Sequence, residues 1–158
     1  MFLYWQQKIL LKTPKNESEG AKSENFEEEN EDYDVNNISR EDLFLAILKE
    51  ELIPAMGCTE PIALAYAAAR ARKLLSSAPT AILARCSGNI IKNVRCVSIP
   101  NSGGMIGIEP AVALGAFGGD DSLGMEVLEA VRAQDRAAVS AFLEAGGCRV
   151  EYLPSDIP

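Results

Sequence analysis

A cysteine at a predicted helix start is the residue of this chain best placed to do chemistry. Pro54 ends the segment before it, Gly57 allows a sharp turn, and the run Cys58-Thr59-Glu60-Pro61 holds residue types favoured at helix N-termini. Unpaired N–H groups and the helix dipole stabilise an anion there, so we expect Cys58 to be biased toward the thiolate. The alternative is a small buried cysteine that only fills space.

Two further segments share this design, in which small polar residues present backbone N–H groups in a turn. They are Ser87-Gly88-Asn89 and Asn101-Ser102-Gly103-Gly104. Such turns bind anions, and hydroxyl and amide side chains add directional hydrogen bonds. Any one of these turns alone is more often a simple connection, but the three together favour a carboxylate or phosphate ligand. None matches a nucleotide-binding glycine motif.

The residue types that the chain lacks exclude several other sites. Its 158 residues include no histidine, so there is no Ser–His or Cys–His nucleophile pair, and most catalytic zinc sites are excluded. The four cysteines form no C-x-x-C pair and are too sparse for a disulfide scaffold, so we expect free thiols. The surroundings of Cys86 and Cys148 favour a structural role, whereas the role of Cys96 stays open.

The charge and hydropathy of the chain limit which partners it can bind and where in the cell we expect it. A net charge of -8 argues against nucleic acid as a partner, because an acidic protein repels a phosphate backbone. Residues 1–37 carry most of the excess acidic charge, and after a short apolar start the run 16–37 has few apolar side chains, so we predict a disordered acidic leader there. No run of about twenty apolar residues exists, and residues 1–11 are not followed by a signal-peptide cleavage site. We therefore expect a cytoplasmic protein without a membrane segment.

The elements that must position these turns lie in residues 38–158, which we interpret as one domain. Helices are predicted over 39–52, 61–75, 107–117, 120–131 and 133–145, and strands over 80–86 and 149–153. Residues 90–97 fit either a short helix or a continuing turn. This order predicts an α/β or α+β fold, a helix-rich domain packed on a small sheet. The domain ends on a strand without an evident partner, so we interpret it as incomplete and truncated at the C-terminus.

Three stretches carry a resemblance to a known family. Residues 49–72 (KEELIPAMGCTEPIALAYAAARAR), 87–93 (SGNIIKN) and 99–119 (IPNSGGMIGIEPAVALGAFGG) resemble the L-cysteine desulfidase family, also described as serine dehydratase-like alpha subunits. The resemblance implies a pyridoxal-independent lyase that removes a β-substituent from L-cysteine or L-serine. Pyruvate and ammonia are the products, with sulfide from cysteine. An oxygen-sensitive 4Fe-4S cluster acts on the leaving group in that family.

The resemblance also implies roles for individual residues. Cys58 would be the base that removes the α-proton of the substrate. The substrate-binding residues would be Thr59, Glu60, Ser87, Gly88, Asn89, Asn101, Ser102 and Gly103.

The resemblance implies that part of the site lies outside this chain. The cluster-binding cysteines of that family lie beyond the point where this chain ends, so we expect no metal ligand and no cluster in this chain alone. We expect lyase activity only with a C-terminal segment or partner chain. The alternatives are a non-enzymatic module that binds a small carboxylate or holds a redox-sensitive thiol, and a non-functional gene fragment.

Overall fold

The structure, a computed structural model, describes residues 8–12 and 39–154. Its elements in chain order are β1 (Lys8–Lys12), α1 (Arg40–Glu51), α2 (Thr59–Lys73), β2 (Ala81–Cys86), α3 (Gly88–Val94), α4 (Ile108–Gly118), a 3₁₀ helix (Asp121–Glu126), α5 (Ala133–Glu144) and β3 (Cys148–Tyr152). The helix-rich α/β fold is therefore confirmed. None of the helices in these ranges combines the length and the hydropathy of a transmembrane helix.

Helix α1 belongs to a small unit of its own, and the other elements form a larger unit. The helix begins where the sequence predicts, because Ser39 caps it. The Ser39 Oγ accepts a hydrogen bond from the Asp42 backbone N–H at 3.1 Å and donates one to Asp42 Oδ2 at 2.7 Å. This satisfies a backbone donor that the first helical turn would otherwise leave unpaired.

The sheet of the larger unit has the order β1-β2-β3, with β1 antiparallel and β3 parallel to β2. Strand β2 alternates as predicted, and Ile82, Ala84 and Cys86 point into the core. Strand β3, predicted without a partner, pairs with β2 so that Cys148 lies opposite Ile82. The disordered leader predicted for residues 1–37 needs a correction, since Lys8–Lys12 forms β1. The rest of that prediction falls outside the described residues.

Helices α2 and α4 pack directly against each other and form the centre of the core. Their contact is built from small residues, as the alanines of α2 predict. A Cβ atom added to Gly115 would overlap the Ala65 carbonyl oxygen, and one added to Gly119 would lie 3.1 Å from the Ala69 Cβ. The close approach of the two backbones therefore depends on glycine in α4 and alanine in α2.

The helix predicted over 120–131 is wrong, because the segment forms only a short 3₁₀ helix followed by turns. Gly124 has a φ of 55° inside it, which breaks the helical path. Asp120 caps the start by accepting from the Ser122 backbone N–H at 3.0 Å. Asp121 is buried and pairs with Lys73 at the end of α2, 2.6 Å away. This ion pair attaches the segment to α2.

Candidate functional site

Cys58 lies at the N-cap of α2 with an exposed side chain. Its Sγ donates a hydrogen bond to Oε2 of Glu60, 2.9 Å away. This hydrogen bond is the main reason that the pKa of the Cys58 thiol is raised, and desolvation and the negative charge of Glu60 add to it. The Glu60 backbone N–H lowers the pKa, as the helix start predicts, but is outweighed. The thiolate expected from the sequence is therefore wrong, and Cys58 rests as a thiol.

Glu60 links the start of α2 to α3. Its second oxygen, Oε1, accepts a hydrogen bond from the Asn93 side-chain amide at 3.3 Å. The hydrogen bond from Cys58 lowers the pKa of Glu60 most, and bonds from its own backbone N–H, Asn93 and Thr59 lower it further. Glu60 is therefore ionised. The side chain of Thr59 contributes to this by hydrogen-bonding to Glu60.

The turn Ser87-Gly88-Asn89 forms the start of α3 at the carboxyl end of β2. Ser87 is buried and caps the helix, because its Oγ accepts from the Ile90 backbone N–H at 3.5 Å. Gly88 lies beside the ring of Tyr152, which a Cβ atom would approach to 3.7 Å. Asn89 is exposed in the first turn. Of the three, Asn89 has the side chain most accessible to a ligand.

The side chain of Asn101 supports the fold. Asn101 has a φ of 53°, and its amide nitrogen donates to the carbonyl oxygens of Leu128 at 2.8 Å and Val131 at 2.9 Å. These bonds attach the turn to the segment after the 3₁₀ helix. Its Oδ1 accepts from Nη1 of Arg136 at 3.2 Å.

Ser102 is buried and holds the turn together from inside. Its Oγ accepts from the backbone N–H groups of Gly104 at 3.2 Å and Met105 at 2.8 Å. Gly103 and Gly104, which follow it, are exposed. The groups of this turn that a ligand can reach are therefore the two glycines rather than the hydroxyl of Ser102.

The structure places the turn at 57–59, the Cys58 turn, next to the turns at 87–89 and 101–104. The hydrogen bond between Glu60 and Asn93 joins it to α3, the helix that Ser87 caps. On the other side, a Cβ atom on Gly57 would lie 3.4 Å from Cγ of Pro100, which directly precedes Asn101. The three segments that share one sequence design therefore lie in one region of the larger unit.

The cysteines do not form a metal centre in the part of the chain that the structure describes. There, no group of three or more Cys, Asp or Glu side chains could hold a metal ion. Burial raises the pKa of Cys86 to about 11 and that of Cys148 to about 12. Cys96 is exposed. The described thiols therefore do not provide the ligand set of an iron–sulfur cluster.

Proteins of similar sequence were found in several bacteria. The chain is 52% identical over 101 residues to a protein of Finegoldia magna, 49% over 113 residues to one of Fusobacterium nucleatum, and 51% over 90 residues to one of Treponema denticola. All three are UPF0597 proteins. The matches cover 64%, 72% and 57% of this chain but only 24%, 26% and 21% of the relatives. The chain thus spans about a quarter of the length of the curated relatives it matches.

The UPF0597 relatives correct the family resemblance drawn from the motifs. They carry neither the name L-cysteine desulfidase nor the name serine dehydratase-like alpha subunit. The name UPF0597 gives no activity, so these relatives lend no support to desulfidase activity or to an iron–sulfur cofactor. No family model and no solved structure matches the chain.

Two residues of this region were not predicted from the sequence. Asn93 hydrogen-bonds to Glu60, which is 33 residues away in the sequence, and Arg136 hydrogen-bonds to Asn101, which is 35 residues away. No local spacing pattern signals contacts at that separation. The effect of Glu60 on Cys58 could have been found, because a carboxylate two residues after a thiol is visible in the sequence.

Proposed function

We propose that the chain supplies the proton-transferring part of a lyase site. The proposal rests on two hydrogen bonds to the Glu60 carboxylate. The Cys58 Sγ donates to Oε2 at 2.9 Å, and the Asn93 side-chain amide donates to Oε1 at 3.3 Å. This arrangement holds one acidic proton and one negative charge side by side at an exposed helix start. The remainder of the site would come from sequence outside this chain, since the UPF0597 relatives are about four times as long as their match to it.

The paired groups match the demands of a β-elimination. Such a reaction needs a base that accepts the α-proton and an acid that protonates the leaving group. Because the pKa of Cys58 is raised and that of Glu60 is lowered, the resting proton lies on sulfur. Cys58 would then be the acid and Glu60 the base, the reverse of the role that the motif resemblance implies for Cys58. Closure of the site by further protein would desolvate Glu60 and raise its pKa toward a useful range.

The proposed substrate is a small amino acid with a leaving group on Cβ, such as L-serine or L-cysteine. The exposed glycines of the turn at 101–104 lie beyond Pro100, which the Cys58 turn contacts. The exposed backbone of Gly103 suits a carboxylate, which would orient the amino acid toward Cys58 and Glu60, whereas the Gly104 N–H already donates to Ser102 Oγ. The raised pKa of Cys58 argues against the alternative of a redox-sensitive thiol, because less thiolate is present at neutral pH.

A chimera tests the proposal in a full-length background. The segment of this chain that matches the Finegoldia magna relative would replace the corresponding segment of that protein, and pyruvate release from L-serine and L-cysteine would be measured. We expect release by the chimera and its loss in Cys58→Ser and Glu60→Gln. Release should be retained in Cys96→Ser, a control that changes an exposed thiol other than Cys58. A folded chimera that releases no pyruvate from either amino acid contradicts the proposal.

A further inference from the structure

We propose that the guanidinium of Arg136, together with the exposed backbone of Gly103 beside it, binds a small carboxylate. Arg136 carries no local signal in the sequence, and within the site its contacts include Asn101. The identification of this carboxylate as that of the substrate rests on the proposed function. The binding itself does not.

Arg136 is held in place through one of its three nitrogens. Its Nη1 donates to the Asn101 carbonyl oxygen at 3.3 Å, to Asn101 Oδ1 at 3.2 Å and to the Val131 carbonyl oxygen at 3.4 Å. Asn101 is itself fixed by its bonds to Leu128 and Val131. The guanidinium plane is therefore oriented before any ligand arrives, which lowers the entropic cost of binding.

The charge of Arg136 is not neutralised by the described residues. All three acceptors of its Nη1 are uncharged oxygens, and the described ion pairs involve other cations. Among those same residues, Nε and Nη2 have no hydrogen-bond partner. A half-buried arginine that keeps two donors and its full charge is suited to an anion, and those two nitrogens form the fork that binds a carboxylate through two parallel bonds.

Gly103 leaves one edge of the guanidinium open. A Cβ atom at this position would lie 3.6 Å from Cδ and 3.9 Å from Nε of Arg136, so a larger side chain would cover the Nε edge. A Cβ atom on Gly104 would meet nothing within 4 Å. The turn therefore offers free space beside a fixed cation. In a chain of net charge -8, such a local cation is what makes binding of an anion favourable.

Binding is tested on the whole 158-residue chain with nitrogen-15 labelling and two-dimensional NMR. L-serine and acetate are the carboxylate probes, and ethanolamine, which lacks the carboxylate, is the control. We expect saturable shifts of the Gly103 and Gly104 amide signals with both carboxylates and none with ethanolamine. Shifts spread over the surface without saturation, or the same shifts with ethanolamine, would overturn the proposal.

Two variants separate the role of Arg136 from its support of the fold. Arg136→Lys keeps the charge but loses the fork, and binding should weaken about tenfold, the effect of one charge-assisted hydrogen bond. Arg136→Gln should weaken binding further, whereas Arg95→Gln, which changes an exposed arginine, should bind as the unsubstituted chain does. Unchanged affinity in a folded Arg136→Lys variant overturns the proposal. A chain that binds carboxylates while the chimera releases no pyruvate contradicts the proposed function alone.

Discussion

At the scale of single residues, the carboxylate of Glu60 decides the protonation of Cys58. The N–H groups at a helix start favour a thiolate. The Glu60 carboxylate, however, accepts a hydrogen bond from the Cys58 thiol, with Sγ 2.9 Å from Oε2, and adds a negative charge beside the sulfur. Both effects stabilise the neutral thiol. The pair therefore differs from a nucleophilic cysteine, which needs a positive neighbour.

Ser102 is expected to stabilise the turn at residues 101–104. Its buried Oγ accepts two backbone hydrogen bonds, so Ser102→Ala leaves two N–H groups without their partner. We expect a loss of about 1–3 kcal/mol in the free energy of unfolding, measured by urea denaturation. Ser98→Ala, at an exposed position, is the control and should change stability little. Equal stability of the two variants would show that the turn does not depend on the Ser102 hydroxyl.

At the scale of elements, the contact between α2 and α4 sets the position of the site. Gly115→Ala would place a methyl group on the Ala65 carbonyl oxygen and force the two helices apart. Alanine favours a helix by up to about 1 kcal/mol over glycine, but overpacking costs about 1–3 kcal/mol, so we expect a net loss of stability. Thermal unfolding measures it.

Gly88→Ala is the matched control for that substitution. It adds a methyl group to a helical glycine where the nearest atom is 3.7 Å away, an ordinary contact. This variant should be as stable as the unsubstituted chain or slightly more stable. A Gly115→Ala variant that is also unchanged would contradict the packing of α2 on α4.

The elements that the sequence predicts correctly are those with local signals. Ser39 caps its helix, and the alternation of β2 shows its buried face, whereas the sequence left the helix that Ser87 caps open as a helix or a turn. Strand β1 was missed because its partner, β2, lies about seventy residues further along the chain. The helix predicted over 120–131 does not form because Gly124 and the ion pair of buried Asp121 with Lys73 favour a tighter path than the apolar pattern indicates.

At the scale of the whole molecule, the turns of the site were predicted. The hydrogen bonds by which their polar side chains stabilise the fold were not. Cys58, the Ser87 turn and the Asn101 turn do lie in one region. Ser87 and Ser102 accept hydrogen bonds from backbone N–H groups three residues further along the chain. Asn101, by contrast, donates to the carbonyl oxygens of Leu128 and Val131, which only the folded chain brings close. Long-range contacts of this kind, including that of Arg136, have no counterpart in local spacing.

The stability of the larger unit should fall in alkaline solution. The folded-state pKa values of Cys86 and Cys148, about 11 and about 12, exceed the ordinary thiol value of 9.0. Their contribution to stability is therefore complete below pH 9.0 and is lost as the pH rises through the folded-state values. We expect the urea midpoint to decrease above pH 9.0, and to decrease less in a Cys86→Ala, Cys148→Ala double variant. The same pH dependence in both proteins would contradict burial of these thiols.

The pH dependence of Cys58 alkylation tests the pairing of Cys58 with Glu60. Native chain would be labelled briefly with iodoacetamide over a range of pH, and the Cys58 peptide quantified by mass spectrometry, with the urea-unfolded chain as reference. Glu60→Gln removes the negative charge, and Glu144→Gln, which changes an exposed carboxylate on α5, is its control. We predict a higher midpoint for native Cys58 than for the unfolded chain, and a lower midpoint in Glu60→Gln than in Glu144→Gln. A native midpoint at or below that of the unfolded chain, or no change in Glu60→Gln, would contradict the pairing of Cys58 with Glu60.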